Sequence, residues 1–171
     1  KKYRAAMTKC FNDFADRPFH VGYGERTTLP ARDGIEHGNI LRSSKAPNNS
    51  FFKNWIDVED HITWAVDVGE SGSYEAILHY TCAAGDEGGI VVLTMGDASI
   101  EATVEEVFDP PLYDKSKERV EGSHYFVKDF KPLSMGLIKL QKGRGELRLG
   151  AIKKVGDRLI DVHSIELNRL H

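Results

Sequence analysis

Apolar and polar positions alternate strictly in the middle of the chain. Every second residue from Ile62 to Val68 is apolar, and the same period returns from Tyr74 to Cys82. Because successive side chains of a strand point to opposite faces, each run predicts a half-buried β-strand. The runs IVVLTM and ASIEATV flank Gly96-Asp97, whose glycine suits the positive φ of a two-residue turn, so they predict a β-hairpin.

Extended runs continue to the end of the chain. SHYFVKDF is followed by LIKL and ELRLGAI, with the turn QKGRG between the last two. In the final run, LIDVHSIELNRL, the apolar parity changes between Val162 and Ile165, which predicts a β-bulge near His163 or Ser164. About eight to ten short strands separated by turn signals predict an all-β fold, an antiparallel β-sandwich of the jelly-roll kind.

One short segment has a helical period instead. Apolar residues near the N-terminus recur at the spacing of one helix face, so residues 3–15 predict an amphipathic helix that ends before Pro18. It is the only substantial helix that the pattern predicts. The chain accordingly divides into a helical stretch at residues 1–16 and a sandwich at residues 17–171.

Length and composition indicate an ordinary globular domain. The chain has 171 residues, of which 40% are hydrophobic and 29% are charged, enough for one core. A net charge of −3 provides no positive field to attract nucleic acid. No apolar run approaches the roughly 18 residues that span a bilayer. We therefore expect neither nucleic acid nor a membrane as a partner. Since the chain begins without Met, we expect a piece of a longer protein.

Motifs of familiar catalytic chemistry are missing. The chain has no Gly-x-Ser-x-Gly elbow, no Walker sequence and no His-Glu-x-x-His zinc helix. Gly143 and Gly145 precede a strand rather than a helix, so they predict a hairpin turn and not a nucleotide loop. Cys10 and Cys82 could pair or both be free. A structural calcium held by loop oxygens stays open, although no Asp-x-Asp-x-Asp-Gly run supports it.

The stretch LPARDGIEHGNILRSSKAPNNSFFKNW, here called the 29–55 segment, has no lasting apolar period and is rich in basic residues and Asn. Arginine suits sulfate because its planar fork offers parallel donors to an oxyanion. Trp55 would serve either as a stacking platform for a sugar or as a lid on the sandwich end, and the lid is favoured because exposed large apolar groups are uncommon. The candidate ligand-binding residues are Arg32, Asp33, His37, Asn39, Arg42, Asn48, Asn49 and Trp55.

Several long motifs resemble those of one family. The stretch RPFHVGYGERTTLPARDGIEHGNILRSSKAPNNSFFKNW, followed by DHITWAVDVGESGSYEAILHYTC, FDPPL, YFVKDFKPL and LQKGRGELRLGA, is similar to the C-terminal accessory region of bacterial sulfatases of the arylsulfatase and N-acetylgalactosamine-6-sulfatase type. The similarity covers nearly the whole chain from Arg17. The alternating strands alone also resemble galactose-binding-like carbohydrate-binding modules, so the resemblance implies a sandwich of that kind.

The resemblance implies a parent enzyme whose catalytic part is missing from this chain. Such sulfatases use a formylglycine, made from the Cys or Ser of a Cys/Ser-x-Pro-x-Arg motif, beside a calcium ion. Here Cys10 begins CFND, Cys82 begins CAAG, and no Ser begins the motif, so we expect neither a catalytic residue nor that cofactor in this chain. The family further implies that residues 1–16 are a linker helix from the catalytic domain, and that the parent, a sulfuric ester hydrolase, is secreted or periplasmic.

Two main hypotheses of function remain. In the first, the chain is a non-catalytic, carbohydrate-binding-like domain that helps a sulfatase hold a sulfated glycan. In the second, it is structural, and the 29–55 segment packs against the sulfatase's own catalytic domain. An independent polysaccharide-active enzyme is a third class, which no residue spacing supports.

Overall fold

The computed structural model of the chain describes residues 17–44, 50–113 and 126–170. Within these ranges twelve strands form two sheets, and the all-β, antiparallel β-sandwich is confirmed. None of the described residues belongs to a helix that is long and apolar enough to cross a membrane. The predicted helix at residues 3–15 lies outside the described residues.

Six strands form the first sheet. They are β1 (Phe19–Val21), β3 (Ile35–His37), β6 (His61–Val68), β8 (Gly89–Met95), β9 (Ala98–Val104) and β11 (Gly143–Lys153). The hydrogen-bonded order is β1-β6-β11-β8-β9, and β3 also pairs with β6. β1 runs parallel to β6, whereas β3, β11, β8 and β9 pair with their neighbours in antiparallel fashion.

Six further strands form the second sheet. They are β2 (Arg26–Pro30), β4 (Leu41–Arg42), β5 (Phe52–Lys53), β7 (Gly72–Thr81), β10 (Lys131–Leu140) and β12 (Asp161–Arg169). The hydrogen-bonded order is β10-β7-β12-β5-β4, and β2 also pairs with β12. The described pairs in this sheet are antiparallel.

Two local predictions about the strands are confirmed. β8 and β9 form a hairpin in which Met95 pairs with Ala98, and Gly96 in the turn has a φ of 56°. In β12, successive pairs with β7 are made by Val162 and Ser164, so His163 between them is the extra residue of a bulge.

The chain changes sheets at most connections after β6, which is the jelly-roll arrangement. Gln141 and Lys142 link Leu140, at the end of β10, to Gly143 at the start of β11. The prediction of a hairpin turn at Gly143 and Gly145 is wrong, because β10 pairs with β7 while β11 pairs with β6 and β8. A hairpin and a link between sheets use the same turn residues, and here Gly143 has a φ of 133°.

The core lies between the sheets and consists of the alternating positions. The predicted core residues Trp64, Tyr74 and Tyr80 are fully buried, as are the apolar residues of β6 and β7 around them. The indole N–H of Trp64 donates to the carbonyl of Pro30 over 3.0 Å, so the polar atom of this buried ring also has a partner. The periodic part of the sequence therefore predicts the core directly.

The described part of the 29–55 segment is built into the sandwich. It supplies part of β2, all of β3, β4 and β5, and a 3₁₀ turn at Ala31–Asp33, and it buries Leu29, Ile40 and Phe52 in the core. The lack of an apolar period therefore does not mean that this segment lacks strands. Strands of two or three residues are too short to display an apolar period, which is why the pattern does not reveal them.

Cys82 follows β7 and has a free, buried thiol. Its backbone pairs with Phe108 through two hydrogen bonds of 2.8 and 2.9 Å, which tie the chain after β9 to the end of β7. Burial, together with the smaller effect of the nearby carboxylates of Asp86, Glu87 and Asp109, raises the pKa of the thiol to about 11. The thiol is therefore protonated at neutral pH.

Candidate functional site

Arg42, a candidate sulfate ligand, is committed to contacts within the domain. Its Nε and Nη2 donate to the two carboxylate oxygens of Glu36 over 2.8 and 2.6 Å. Its Nη1 donates to the carbonyl of Arg32, and Nη2 also donates to the carbonyl of Gly34, both over 2.8 Å. Because four of the five guanidinium N–H groups are already used, Arg42 fastens the 3₁₀ turn to β3 and β4, and this geometry does not support a ligand role.

Asn39 and its neighbours are organised by one buried carboxylate. Asp60 is 1% exposed and accepts the backbone N–H and the side-chain amide of Asn39 over 2.7 and 3.1 Å. Its second oxygen accepts the backbone N–H groups of Ile56 and Asp57 over 3.2 and 3.0 Å. The candidate Asn39 therefore fastens this connection through Asp60, and one N–H of its exposed side-chain amide is already donated there.

His37 and Trp55 are also held by internal contacts. The Nε2 of His37 lies 3.0 Å from the hydroxyl of Thr63, and its ring stacks on His61 with centroids 4.3 Å apart. Trp55 is 1% exposed, and its indole N–H donates to the carbonyl of Asp57 over 3.0 Å. Its ring is part of the core, so it is not exposed as a stacking platform, and burial agrees with the lid role that the sequence favours.

Arg32 and Asp33 are the two exposed candidates that lie in an open groove. They line a groove of roughly 770 Å³ between β1 and β3, together with His20 and Ile35. The groove exists because β1 and β3 pair with different halves of β6, which leaves Ala65 unpaired on that side. The Arg32 side chain is 63% exposed and its Nε lies 3.5 Å from the Asp33 carboxylate, a weak surface pair.

The remaining two candidates, Asn48 and Asn49, lie outside the described residues. Of the eight candidates, the structure thus brings Arg32 and Asp33 together in one open groove, with Arg42 behind them at its edge.

Tyr23 was not among the candidates, yet it is the most exposed large hydrophobic residue of the described residues, at 65%. It lies between β1 and β2, and its ring rests on the backbone of Gly69: a Cβ at Gly69 would lie 2.7 Å from a ring carbon. The ring of His20 meets it edge-on, with centroids 5.1 Å apart. The Tyr23 ring is therefore supported from below and from one side while its other face meets solvent.

Charged groups surround Tyr23. The ring lines a concavity of roughly 560 Å³ with Glu25, Glu70, Lys142 and Arg169. Arg169 forms an ion pair with Glu70, and the Glu70 carbonyl accepts the hydroxyl of the buried Tyr74 over 2.6 Å. An aromatic face with both donors and acceptors at its rim can take the C–H face and the hydroxyls of a sugar together.

One sequence signal marks Tyr23 in retrospect. It stands in VGYGER, between two glycines and outside any apolar period, so it is an aromatic residue with no predicted place in the core. Its support by Gly69 comes from a different connection of the fold, and no local pattern predicts that contact.

A buried lysine, Lys128, bridges two aspartates. The ammonium of Lys128 lies 2.8 Å from Asp161 and 3.2 Å from Asp109, and 5.4 Å above the ring of Phe51. Within the part of the chain that the structure describes, no group of three or more acidic, His or Cys side chains is arranged to hold a metal ion. The structural calcium therefore stays a prediction without a described ligand set.

Arg32 also acts on a neighbouring histidine. Desolvation lowers the pKa of His163 below its usual value, and the nearby His79 and Arg32 lower it further. The His163 ring packs against Phe130, with centroids 4.8 Å apart. The imidazole on the β12 bulge is therefore harder to protonate than an ordinary histidine side chain.

The architecture matches solved carbohydrate-binding modules. A family 35 carbohydrate-binding module from Clostridium thermocellum matches with a TM-score of 0.57 and 15% identity, over 86% of this chain and 100% of that chain. The C-terminal family 6 module of a marine laminarinase from Zobellia galactanivorans matches with a TM-score of 0.59 and 11% identity, over 84% of this chain and 99% of that chain.

A longer enzyme contains a similar domain. A β-(1,4)-mannanase with a family 35 module from Podospora anserina matches with a TM-score of 0.58 and 13% identity, over 86% of this chain. This chain spans about 28% of the mannanase chain. No protein-family model matches the sequence, and no curated protein matches it significantly. At such identities the structural matches establish the fold alone.

Proposed function

We propose that the chain is a carbohydrate-binding accessory domain, and that it helps a secreted or periplasmic sulfatase hold a sulfated glycan. One observation carries the proposal: the Tyr23 ring is exposed, yet it is fixed in place by Gly69 and His20. Exposed large aromatic rings are uncommon on soluble proteins, and such a ring beside charged groups fits the C–H face of a sugar. The fold of carbohydrate-binding modules supports the same function.

A rigid platform favours binding because little conformational freedom is lost when the sugar arrives. Tyrosine has few rotatable bonds, and the contact with Gly69 already restricts them. Glu25 and Glu70 supply acceptors for sugar hydroxyls, and Lys142 and Arg169 supply donors. These groups orient the ring that stacks on Tyr23.

The groove at Arg32 lies next to this platform. His20 lines the groove and also contacts the Tyr23 ring, so the two concavities share a border. Arg32 is exposed there and offers a guanidinium to a sulfate or carboxylate. The sulfatase parent and the sulfated ligand rest on the sequence resemblance together with this cation.

Titration of the domain with oligosaccharides tests the proposal. Tyr23→Ala removes the platform, and we expect the affinity for a bound oligosaccharide to fall about tenfold, as for a central aromatic contact. Tyr113→Ala is the matched control, because Tyr113 is also exposed and its hydroxyl donates to Asp129 on another surface. Isothermal titration calorimetry gives both affinities.

Two results would contradict the proposal. The first is that neutral, carboxylated and sulfated oligosaccharides all fail to bind at millimolar concentration. The second is that Tyr23→Ala and Tyr113→Ala weaken binding equally, since the platform would then have no special part.

A structural role for the 29–55 segment is the second candidate function. Ile35 and Leu41 are 59% and 53% exposed on this segment, and large apolar side chains of this kind anchor contacts between domains. In that case Ile35→Ser with Leu41→Ser should lower the melting temperature of the parent protein and leave that of the separate domain unchanged. Val155→Ser is the control, because Val155 is similarly exposed outside the segment. Unchanged melting of the parent argues against this role.

A further inference from the structure

A second, larger cleft lies beside the Tyr23 concavity. It has a volume of roughly 780 Å³ and opens between the β8–β9 turn and the link from β10 to β11. Residues 95–99 form one wall, and Leu137, Lys139 and residues 141–145 form the other. We call it the lysine cleft.

The lysine cleft is positively charged in a protein whose net charge is −3. Its walls contain three cationic side chains, Lys139, Lys142 and Arg144, and one carboxylate, Asp97. Among the described residues no carboxylate lies within ion-pair distance of Lys139 or Lys142, and the Nε of Arg144 lies 3.8 Å from Asp67. The charge of the two lysines is therefore available to a ligand from solution.

The backbone of the cleft is well held. The Ser71 hydroxyl accepts the N–H of Lys142 over 2.8 Å and donates to the side chain of Gln141 over 3.2 Å, so the link between the sheets is fastened to the β6–β7 connection. Gly145 lets Met95 lie against β11, since a Cβ there would be 2.7 Å from the Met95 methyl group. Only the side chains need to adapt when a ligand enters.

Lys142 joins this cleft to the Tyr23 concavity, because it lines both. An oligosaccharide that stacks on Tyr23 and crosses Lys142 reaches Lys139 and Arg144 without leaving the protein surface. Ammonium groups attract sulfate and carboxylate as point charges and need no fixed angle, which suits a flexible, multiply charged chain.

We propose that the lysine cleft binds the anionic groups, sulfate or carboxylate, of the glycan that stacks on Tyr23. This inference rests on the proposed carbohydrate-binding function and identifies where the charge of the ligand is recognised. It moves the main anion contact from the 29–55 segment, where Arg42 is already bonded, to a different part of the fold.

The test uses the double variant Lys139→Gln/Lys142→Gln and three oligosaccharides of equal length. They are a sulfated glycosaminoglycan fragment, the same fragment after desulfation, which keeps its carboxylates, and a neutral fragment. We expect the double variant to lose about fivefold in affinity for the charged fragments at low salt. The loss for the neutral fragment should be much smaller, because glutamine keeps a hydrogen-bond donor for sugar hydroxyls at position 142. The charged fragment that loses more identifies the anionic group.

Lys53→Gln/Lys153→Gln is the matched control. It removes the same charge from two exposed lysines outside the cleft and should bind all three fragments as the wild type does. An equal loss in this control would overturn the proposal, because the effect would then come from total charge. Equal binding of the sulfated fragment by wild type and double variant would overturn it too, as would equally tight binding of a single-stranded oligonucleotide at the cleft.

Tyr23→Ala separates this inference from the proposed function. Suppose that Tyr23→Ala lowers the affinity for all three fragments while Lys139→Gln/Lys142→Gln binds them as the wild type does. The lysine cleft is then not the anion site, and Tyr23 is still supported as the platform for the sugar. Suppose instead that Tyr23→Ala binds as the wild type does while Lys139→Gln/Lys142→Gln loses affinity for the charged fragments. The lysine cleft is then supported as the anion site, and the proposed role of Tyr23 is wrong.

Discussion

The 29–55 segment and the lysine cleft are both rich in basic side chains, but they use them in opposite ways. In the segment, Arg42 is bonded to Glu36 and to two backbone carbonyls. In the cleft, Lys139 and Lys142 have no ion-pair partner among the described residues. A cation bonded inside the domain contributes to stability, whereas one that faces only water can exchange that water for a ligand. Composition alone therefore cannot distinguish a binding surface from a well-bonded connection.

We expect the largest effect from removing the hydrogen bonds that hold the 29–55 segment inside the domain. Asp60→Ala leaves the backbone N–H groups of Asn39, Ile56 and Asp57 without their buried acceptor, so the free energy of unfolding should fall by about 3 kcal/mol. Urea unfolding followed by tryptophan fluorescence measures it. Asp33→Ala is the control, since Asp33 is exposed, and should change stability by less than about 0.5 kcal/mol. Equal losses would show that the Asp60 network is not special.

Arg42→Ala should have the next largest effect. Loss of its hydrogen bonds to Glu36 and to the 3₁₀ turn should lower the free energy of unfolding by about 2 kcal/mol. Arg42→Lys should recover only part of this, because an ammonium cannot reproduce the planar fork. If Arg42→Ala unfolds at the wild-type urea concentration but binds glycan more weakly, then Arg42 is a ligand and the comparison fails. Arg32→Ala provides the exposed control.

The lysine cleft should show a much smaller change of stability. Lys139→Gln/Lys142→Gln removes charges without described partners, so the free energy of unfolding should stay within about 0.5 kcal/mol of the wild type. The same urea experiment applies. A loss above about 1 kcal/mol would mean that these lysines stabilise the fold, and the contrast with the 29–55 segment would disappear.

The smallest effect concerns the pH response near Arg32. The folded-state pKa of His163 is lowered, so as pH falls the imidazole is protonated in the unfolded chain before it is protonated in the folded one. The contribution of His163 to stability is therefore present above the usual pKa of histidine and is lost as pH falls below that value. Arg32→Ala removes one cause and should raise the His163 pKa, whereas Lys53→Ala should not. NMR titration of the imidazole measures both. An unchanged His163 pKa in Arg32→Ala would mean that Arg32 is oriented away from it.

The fold could be predicted because its central strands are long. β6 and β7 have eight and ten residues, which is enough for a period of two to appear and to assign Trp64, Tyr74 and Tyr80 to the core. β3, β4 and β5 have only two or three residues each. Strands this short cannot show an alternation of apolar and polar residues, so the 29–55 segment gave no sign of them.

The binding surfaces were harder to predict, for a different reason. Tyr23 depends on Gly69 for its support, and the lysine cleft depends on the β8–β9 turn meeting the link from β10 to β11. Both arrangements follow from how the sheets are connected, which the turn signal at Gly143 did not distinguish from a hairpin. Arg32 and Asp33 were predicted as candidates by residue type and do reach an open groove.

The buried thiol of Cys82 allows the rate of local opening in the domain to be measured. A thiol reagent needs a thiolate, and at pH 8 few Cys82 thiols are ionised because burial raises the pKa to about 11. In a Cys10→Ser background, labelling therefore waits for the bridge between Cys82 and Phe108 to open. The labelling half-time then reports how often that end of the sandwich opens. A ligand bound at the Tyr23 concavity or the lysine cleft should leave the half-time unchanged unless it stabilises the domain as a whole.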